Sequence, residues 1–260
     1  MSTDPQLPPD EAPLDQATID LFLSSMGTAL VLVGGQALAF WMDRFKIPSE
    51  GAMVSNDGDA LGKLALALDL ALAMKARVEL PKKTSRTAIV AQLRLPVGEG
   101  KERNIDVLHQ LYTISGLKKS SEFTANVIKN SVQVEWRQDK FIKVMEPFDV
   151  LESRVQNAVG LFDEKGSHVL TQATWAIQVA KAALMKLARD PASEDRLGRK
   201  LQRIYKLAHS QVGKRLLAEH QIEILDAVDV ASLRSAAPAQ GPQLDAVARA
   251  KAKRASPLAA

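Results

Sequence analysis

The chain has 260 residues, 46% of them apolar and 25% charged, with a formal net charge of +4 and no cysteine. That length suits one medium domain, or a small catalytic unit joined to a helical one, and is enough to bury a core unaided. Without cysteine, disulfide frameworks, thiolate nucleophiles and cysteine–zinc sites are excluded, and the composition fits a reducing cytosol.

Residues 1–13 are rich in Pro, Asp and Glu and are expected to be disordered. No basic-then-apolar leader opens the chain, and the longest apolar runs, Thr28–Val33 and Leu64–Met74, are too short or too interrupted to span a bilayer. The expectation is therefore a cytoplasmic protein with no membrane partner. Leu14–Met26 carries a helical apolar spacing. Thr28–Val33 is a β-prone run that ends on Gly34-Gly35, and Gln36–Lys46 follows as a helix with Pro48 beyond its end. The unit reads as strand, Gly-Gly turn, helix.

Ala52–Ser55 leads into Asn56-Asp57-Gly58-Asp59, and Ala60–Lys75, dominated by Ala and Leu, is a helix. Arg77–Leu80, Ala88–Pro96 and Asn104–Leu111 are strands; in the last, Asp106 and Leu108 face away from Ile105, Val107 and His109. His109 is read as packing. Val132–Trp136 and Phe141–Val144 flank Gln138-Asp139 as a hairpin. From Pro147 onward the strand signal stops: Phe148–Leu161, His168–Ala188, Arg196–His209 and Val212–Ala227 all repeat with helical period. The expected organisation is a disordered segment (1–13), an α/β core (14–146), a helical domain (147–232) and a disordered basic tail (233–260). The fold class is α+β.

Three features stand in order along the core. Glycines at 34 and 35, between a strand and a helix, let the backbone approach a phosphate at the positive end of a helix dipole. Asp57 and Asp59, two apart in an extended segment, point to one face and repel unless a cation lies between them. A hard cation such as Mg²⁺ suits such oxygens. Asp106 is a carboxylate inside a strand, where Asp is disfavoured. Taken singly, each also fits a bland role: a tight turn, an Asx turn and a solvated edge.

The ordered set resembles the polymerase-beta-type nucleotidyltransferase superfamily, whose pattern is a Gly-Gly or Gly-Ser turn, then Asp-x-Asp, then a third acidic strand residue. VLVGGQALAFWMDRF followed by VSNDGDALG resembles, more narrowly, prokaryotic minimal nucleotidyltransferases related to abortive-infection toxins. MEPFDVLESRVQNAVGL resembles that family's helix after the sheet, with Arg154 at its basic position. The resemblance spans roughly residues 28–162. It implies an enzyme moving a nucleoside monophosphate from an NTP to a hydroxyl of an RNA, a protein or a small molecule. Asp57, Asp59 and Asp106 would be the catalytic metal ligands for Mg²⁺ or Mn²⁺, and Gly34, Gly35, Gln36 and Arg154 would hold the nucleotide. A toxin-like role would bring an antitoxin-like protein as partner. Two departures favour the alternative, a weak or inactive binding module of the same fold. Gly58 replaces the apolar residue usual between the two aspartates, and no Arg-Asp-x-x-Asp-type motif follows in the helical half. Arg199, Lys200, Arg203 and Lys206 lie there as a basic helix face.

Overall fold

The computed structural model describes residues 10–52, 54–82, 84–114 and 119–255. In chain order the elements are α1 (Gln16–Met26), β1 (Val31–Leu32), α2 (Gly34–Phe45), β2 (Gly58–Leu61), α3 (Leu64–Met74), β3 (Arg77–Glu79), β4 (Ile89–Gly98) and β5 (Lys101–Leu108). They continue with α4 (Ser120–Asn130), β6 (Val132–Arg137), β7 (Lys140–Val144), α5 (Pro147–Gly160), α6 (Phe162–Lys165) and α7 (His168–Ala188). The chain closes with α8 (Glu194–His209), α9 (Gln211–His220), α10 (Val230–Ala236) and α11 (Gly241–Ala255). The fold is α+β. One mixed sheet runs in the order β3-β4-β5-β2-β1-β7-β6, and the helices from α5 onward gather beside it. No helix among the described residues is long and apolar enough to cross a membrane.

The two central strands carry the site. β2 runs parallel to β5 and antiparallel to β1, and β1 runs parallel to β7. β1 is only two residues long because its backbone turns at once into α2. That helix buries Ala37, Leu38, Trp41 and Met42, and stops where Lys46 takes a left-handed conformation and donates its N–H to Asp43 and Met42. The Trp41 indole donates to the Met145 carbonyl at 2.8 Å, fixing α2 against the end of β7. The α5 helix starts with Pro147 at its first position, where the missing N–H costs nothing. It is buried on almost every side, so its polar residues must find partners in the protein or face a cavity. One continuous set of buried apolar residues runs from Leu14 to Val247, through both the sheet and the helical half.

The structure differs from the sequence expectation at several places. Residues 1–9 and 256–260 lie outside the described residues, but 10–13 are not loose. Glu102 and Asp10–Ala12 exchange backbone hydrogen bonds of 2.9 Å, and Arg103 donates to the Pro13 carbonyl. The tail expected to be disordered is α10 and α11. Its Leu233, Leu244 and Val247 are buried, and part of its basic charge is answered: Arg254 pairs with Glu223, and Lys251 with Asp226. The helix expected over 212–227 breaks after His220, where Gln221 is left-handed, and resumes as a 3-10 turn at Ile224–Ala227. Residues 98–100 all have positive φ and turn β4 into β5, so β5 begins three residues before the expected Asn104. His109 lies just beyond β5 and is exposed.

Candidate functional site

The site begins where β1 ends. Val33 donates its N–H to the Asp59 carbonyl at 3.0 Å, laying the start of α2 across the β2 strand. Gly34 then has φ +66, a conformation that favours glycine. A Cβ at that position would sit 1.9 Å from Asp59 Oδ2, so the carboxylate occupies the space a side chain would need. Gly35 is equally confined, since its Cβ would lie 2.5 Å from the Ser55 side chain. The α2 N-terminus has no side-chain cap, which leaves its first N–H groups without intrahelical or capping partners.

Gly58, placed between the two aspartates, faces the opposite side of the strand. A Cβ there would meet Ile105 at 3.0 Å and Phe22 at 3.2 Å. Phe22 from α1 thus fills the core volume that an apolar residue in the strand would supply, and β2 keeps its ladder with β5. In that ladder Gly58 is opposite Ile105 and Asp59 is opposite Asp106. Neighbouring strands lie about 5 Å apart, so these two carboxylates share one face as adjacent side chains. On the other flank of β5, Gln92 is opposite Asp106 and donates its amide to Asp106 Oδ1 at 2.8 Å.

Asp57, Asp59, Gly35 and Arg154 line a cavity of about 620 Å³ between the sheet and the helices α5 to α7. Glu11, Lys165, His168 and Gln172 line it too. The structure does not bring every expected residue there. Asp106 stands beside Asp59 but is not part of the cavity wall, and Gln36 turns away into a different cavity, between α1 and α2. Glu11 comes from the segment tied to Glu102, and Leu14 binds the Asn56 carbonyl, which holds that segment against the aspartate loop.

Charge in the cavity is unbalanced. Its wall carries Glu11, Asp57, Asp59 and Glu164 against Arg154 and Lys165, with Asp106 just behind. The Asp57 and Asp59 carboxylates make no hydrogen bond and no ion pair within 4 Å among the described residues, which leaves their oxygens open to the cavity. Burial, then the negative charges of Asp106 and Asp57, push the Asp59 carboxyl up to about 7. Burial also raises Asp57, against the pull of Lys165 and His168. Asp106 rises for the same reason, opposed first by the hydrogen bond from Gln92. For Glu11, burial and then Asp57 raise the carboxyl, with Arg94 pulling it back.

Arg154 is 8% exposed and has no carboxylate within ion-pair distance among the described residues. It donates to Gln172 Oε1 at 3.0 Å and Ser153 Oγ at 3.2 Å, while its Nε has no partner. Burial lowers its affinity for the proton, and Asp59 partly restores it. Gln172 in turn donates to the Val54 carbonyl at 2.7 Å and touches a His168 ring nitrogen. A buried guanidinium without an anion at contact distance among the described residues has the donor geometry to receive one.

Among the described residues, no group of three or more His, Asp or Glu is spaced to hold a metal ion by itself. The donors nonetheless suit a hard divalent cation as a partial set. Mg²⁺ is commonly held by one or two carboxylates plus substrate phosphates rather than by an all-protein cage. Two open carboxylates beside a buried arginine supply that half.

The residues missed by sequence reasoning are Glu11, Gln92, Lys165, His168 and Gln172. Gln92 had a signal, since it shares a strand face with Val90 and Arg94, alternating with Ala91 and Leu93. The others come from distant segments and carry none. Of the basic residues on α8, Arg196, Lys200 and Arg203 do not form a solvated face. They pair with Glu146, Asp149 and Glu152 of the α5 region, Lys200 and Arg203 closely and Arg196 from an exposed position at 3.8 Å, while Arg199 and Lys206 are exposed.

No protein-family model and no curated protein matches the chain. The crystal structure of JHP933 from Helicobacter pylori is similar at 13% identity and a TM-score of 0.38, over 90% of this chain and 94% of that one. A likeness at that level carries no argument about chemistry.

Proposed function

We propose that this chain is a divalent-metal-dependent nucleotidyltransferase, moving a nucleoside monophosphate from an NTP to a hydroxyl acceptor with loss of pyrophosphate. The observation that carries the reading is the register of β2 on β5. It sets Asp59 beside Asp106, with Asp57 two residues earlier, at a glycine turn whose missing side chain makes room for the Asp59 carboxylate.

Asp57 and Asp59 would hold Mg²⁺ or Mn²⁺ together with phosphate oxygens of the nucleotide. Such an ion would neutralise charge on the transferring group and orient it. The chain's own residues do the rest. Arg154 and Lys165 face the same cavity as the carboxylates and attract the triphosphate, which positions it and screens its charge. The first turn of α2 offers N–H groups at Gly34 and Gly35 to phosphate oxygens. Asp106, held by Gln92, takes the proton of the attacking hydroxyl, and burial raises its affinity for that proton. The acceptor is an RNA, a protein side chain or a small molecule, and a toxin-like role with an antitoxin-like partner follows from resemblance only.

A second reading is favoured by the absence, among the described residues, of three or more His, Asp or Glu that could hold a metal ion together: a nucleotide-binding module that does not turn over. Incubation with labelled NTPs, Mg²⁺ and cell extract separates the two. Under the first reading the wild type labels a product, and Asp57→Ala lowers the rate by about 10³-fold or more, the scale of losing a centre of charge stabilisation. Nucleotide binding by calorimetry with no label in any extract fraction would leave only the binding module.

A further inference from the structure

The residue next to Gly35 opens on a different space. Helix α2 presents Gln36, Phe40 and Arg44 to a gap whose opposite wall is Ile19 and Leu23 of α1, closed at one end by Trp136 of β6. The gap measures about 400 Å³, within the range of small-ligand pockets. It is separate from the acidic cavity, with which it shares no residue.

We propose that this gap is a nucleobase-binding site, taking a purine such as adenine from a free nucleoside or nucleotide, or from an unpaired base of an RNA strand. The first argument is Gln36. The residue is 6% exposed, and its side chain makes no hydrogen bond among the described residues. A buried carboxamide with donor and acceptor both unused is matched by a base edge that offers an acceptor and a donor side by side. The adenine N7 and N6 edge is such a partner for glutamine. The second argument is the pair of aromatic walls. Trp136 is half-buried, and the Arg137 guanidinium lies over its ring at 4.4 Å. Phe40, also half-buried, is held edge-on to Trp41 at 5.2 Å and 83°. Fixed aromatic faces beside an apolar floor suit stacking of a planar heterocycle. The third argument is charge on the rim: Arg44 is exposed and tethered to the Glu135 carbonyl at 3.2 Å, placed to meet a sugar-phosphate attached to the base. A purely apolar ligand would leave Gln36 unanswered.

Calorimetric titration of the full chain, with chelator present to keep metal–nucleotide complexes out of the acidic cavity, tests this. The probes are adenosine, AMP, a short oligoadenylate RNA and indole as a planar control. Saturable binding of adenosine is expected, at least tenfold tighter than indole. Gln36→Leu should weaken it tenfold or more, and Asp59→Asn should leave it unchanged. Trp136→Ala, at a half-exposed position that folding tolerates better, carries the same expected loss as Gln36→Leu. Oligoadenylate binding that is tighter than adenosine and salt-sensitive assigns the base to an RNA strand; equal affinities assign it to a free nucleoside. No saturable binding of any base-containing probe up to about 5 mM, where binding free energy is near its weakest measurable range, overturns the proposal. So does binding that survives both Gln36→Leu and Trp136→Ala in folded protein.

Discussion

Two regions of this molecule crowd three carboxylates together, and they handle the charge in opposite ways. Between α5 and α8, Glu146, Asp149 and Glu152 are 2%, 0% and 4% exposed, yet each meets a base. Arg203 donates to Glu146 at 3.1 Å and to Glu152 at 2.7 Å, and also pairs with Asp149, while Lys200 and Arg196 answer Glu146. In the cavity beside α2, Asp57, Asp59 and Asp106 are less buried, but the two carboxylates that face the cavity have no ion pair or hydrogen bond among the described residues. The first arrangement is closed, each acid meeting a base, with Asp149 Oδ2 buried and left without a hydrogen bond among the described residues. The second leaves its charge unanswered among the described residues, as the proposed ion- and phosphate-binding site requires. One helix serves both, since α5 gives Asp149 and Glu152 to the clamp and Arg154 to the cavity.

The largest effect should come from breaking the closed region. Arg203→Met removes the one base that contacts all three acids and leaves carboxylates buried without their partner. Breaking a buried pair from one side typically costs about 3–5 kcal/mol, and that loss is expected in urea denaturation at neutral pH. A loss below about 1 kcal/mol, the scale of an exposed ion pair, would show that the clamp is not buried in solution and would erase the contrast with the cavity.

The contrast also marks what could be read in the sequence. Asp57, Asp59 and Asp106 were legible because strand alternation fixes which residues share a face, and a carboxylate between apolar strand residues needs a reason. Gly34-Gly35 was legible as a turn, while its closeness to Asp59 was not, because that depends on β1 and β2 pairing antiparallel. The Gly58 departure looked damaging from within its own strand; the compensating Phe22 lies far away in the chain, on α1. Likewise Arg203 looked unpartnered because its acids sit on another helix rather than one turn away. The tail misled by composition. Its Ala, Pro and Gln content suggested too little apolar surface to order it, but Leu233, Leu244 and Val247 suffice when a finished helical surface is there to receive them.

A smaller effect of opposite sign is expected in the open region. The Asp59 carboxyl rises from 3.8 to about 7 in the folded protein, chiefly through burial and then through Asp106 and Asp57. A group raised in the folded state is most favourable when protonated, so its contribution is present at low pH and is lost as pH climbs through about 7. A rise of that size corresponds to at most about 4 kcal/mol, and coupling among the aspartates and partial access to water reduce it to about 1–3 kcal/mol. Asp59→Asn, with chelator present, should therefore be more stable than wild type by that amount at pH 8 and nearly equal to it at pH 4. Added Mg²⁺ and a non-hydrolysable NTP should raise the melting temperature of wild type and leave Asp59→Asn unmoved. Equal stability of the two proteins at pH 8 would mean the cavity charge is already balanced, and the two regions would no longer differ.

Between the two extremes lies the pair that holds the C-terminal helix. Arg254 grips Glu223 through Nη1 at 2.6 and 2.9 Å, donates to the Ala208 carbonyl at 2.9 Å, and is 17% exposed. It is compensated like the clamp, but its carboxylate sits nearer to water, 16% exposed against 5% or less for the acids of the clamp. Glu223 has a second task, accepting from the Leu225 N–H at 2.9 Å, so removing the arginine leaves that carboxylate partly supported rather than stranded. Arg254→Ala should thus cost only about 1–1.5 kcal/mol, the range of a charge-assisted bond with some exposure. The loss should be local. Amide exchange should quicken in the last turns of α11 while α5 and α8 keep their protection, because Leu244 and Val247 continue to anchor the start of α11. If exchange instead quickened throughout α8 as well, the terminal pair would belong to the same cooperative unit as the Arg203 clamp, and its lower burial would not set it apart.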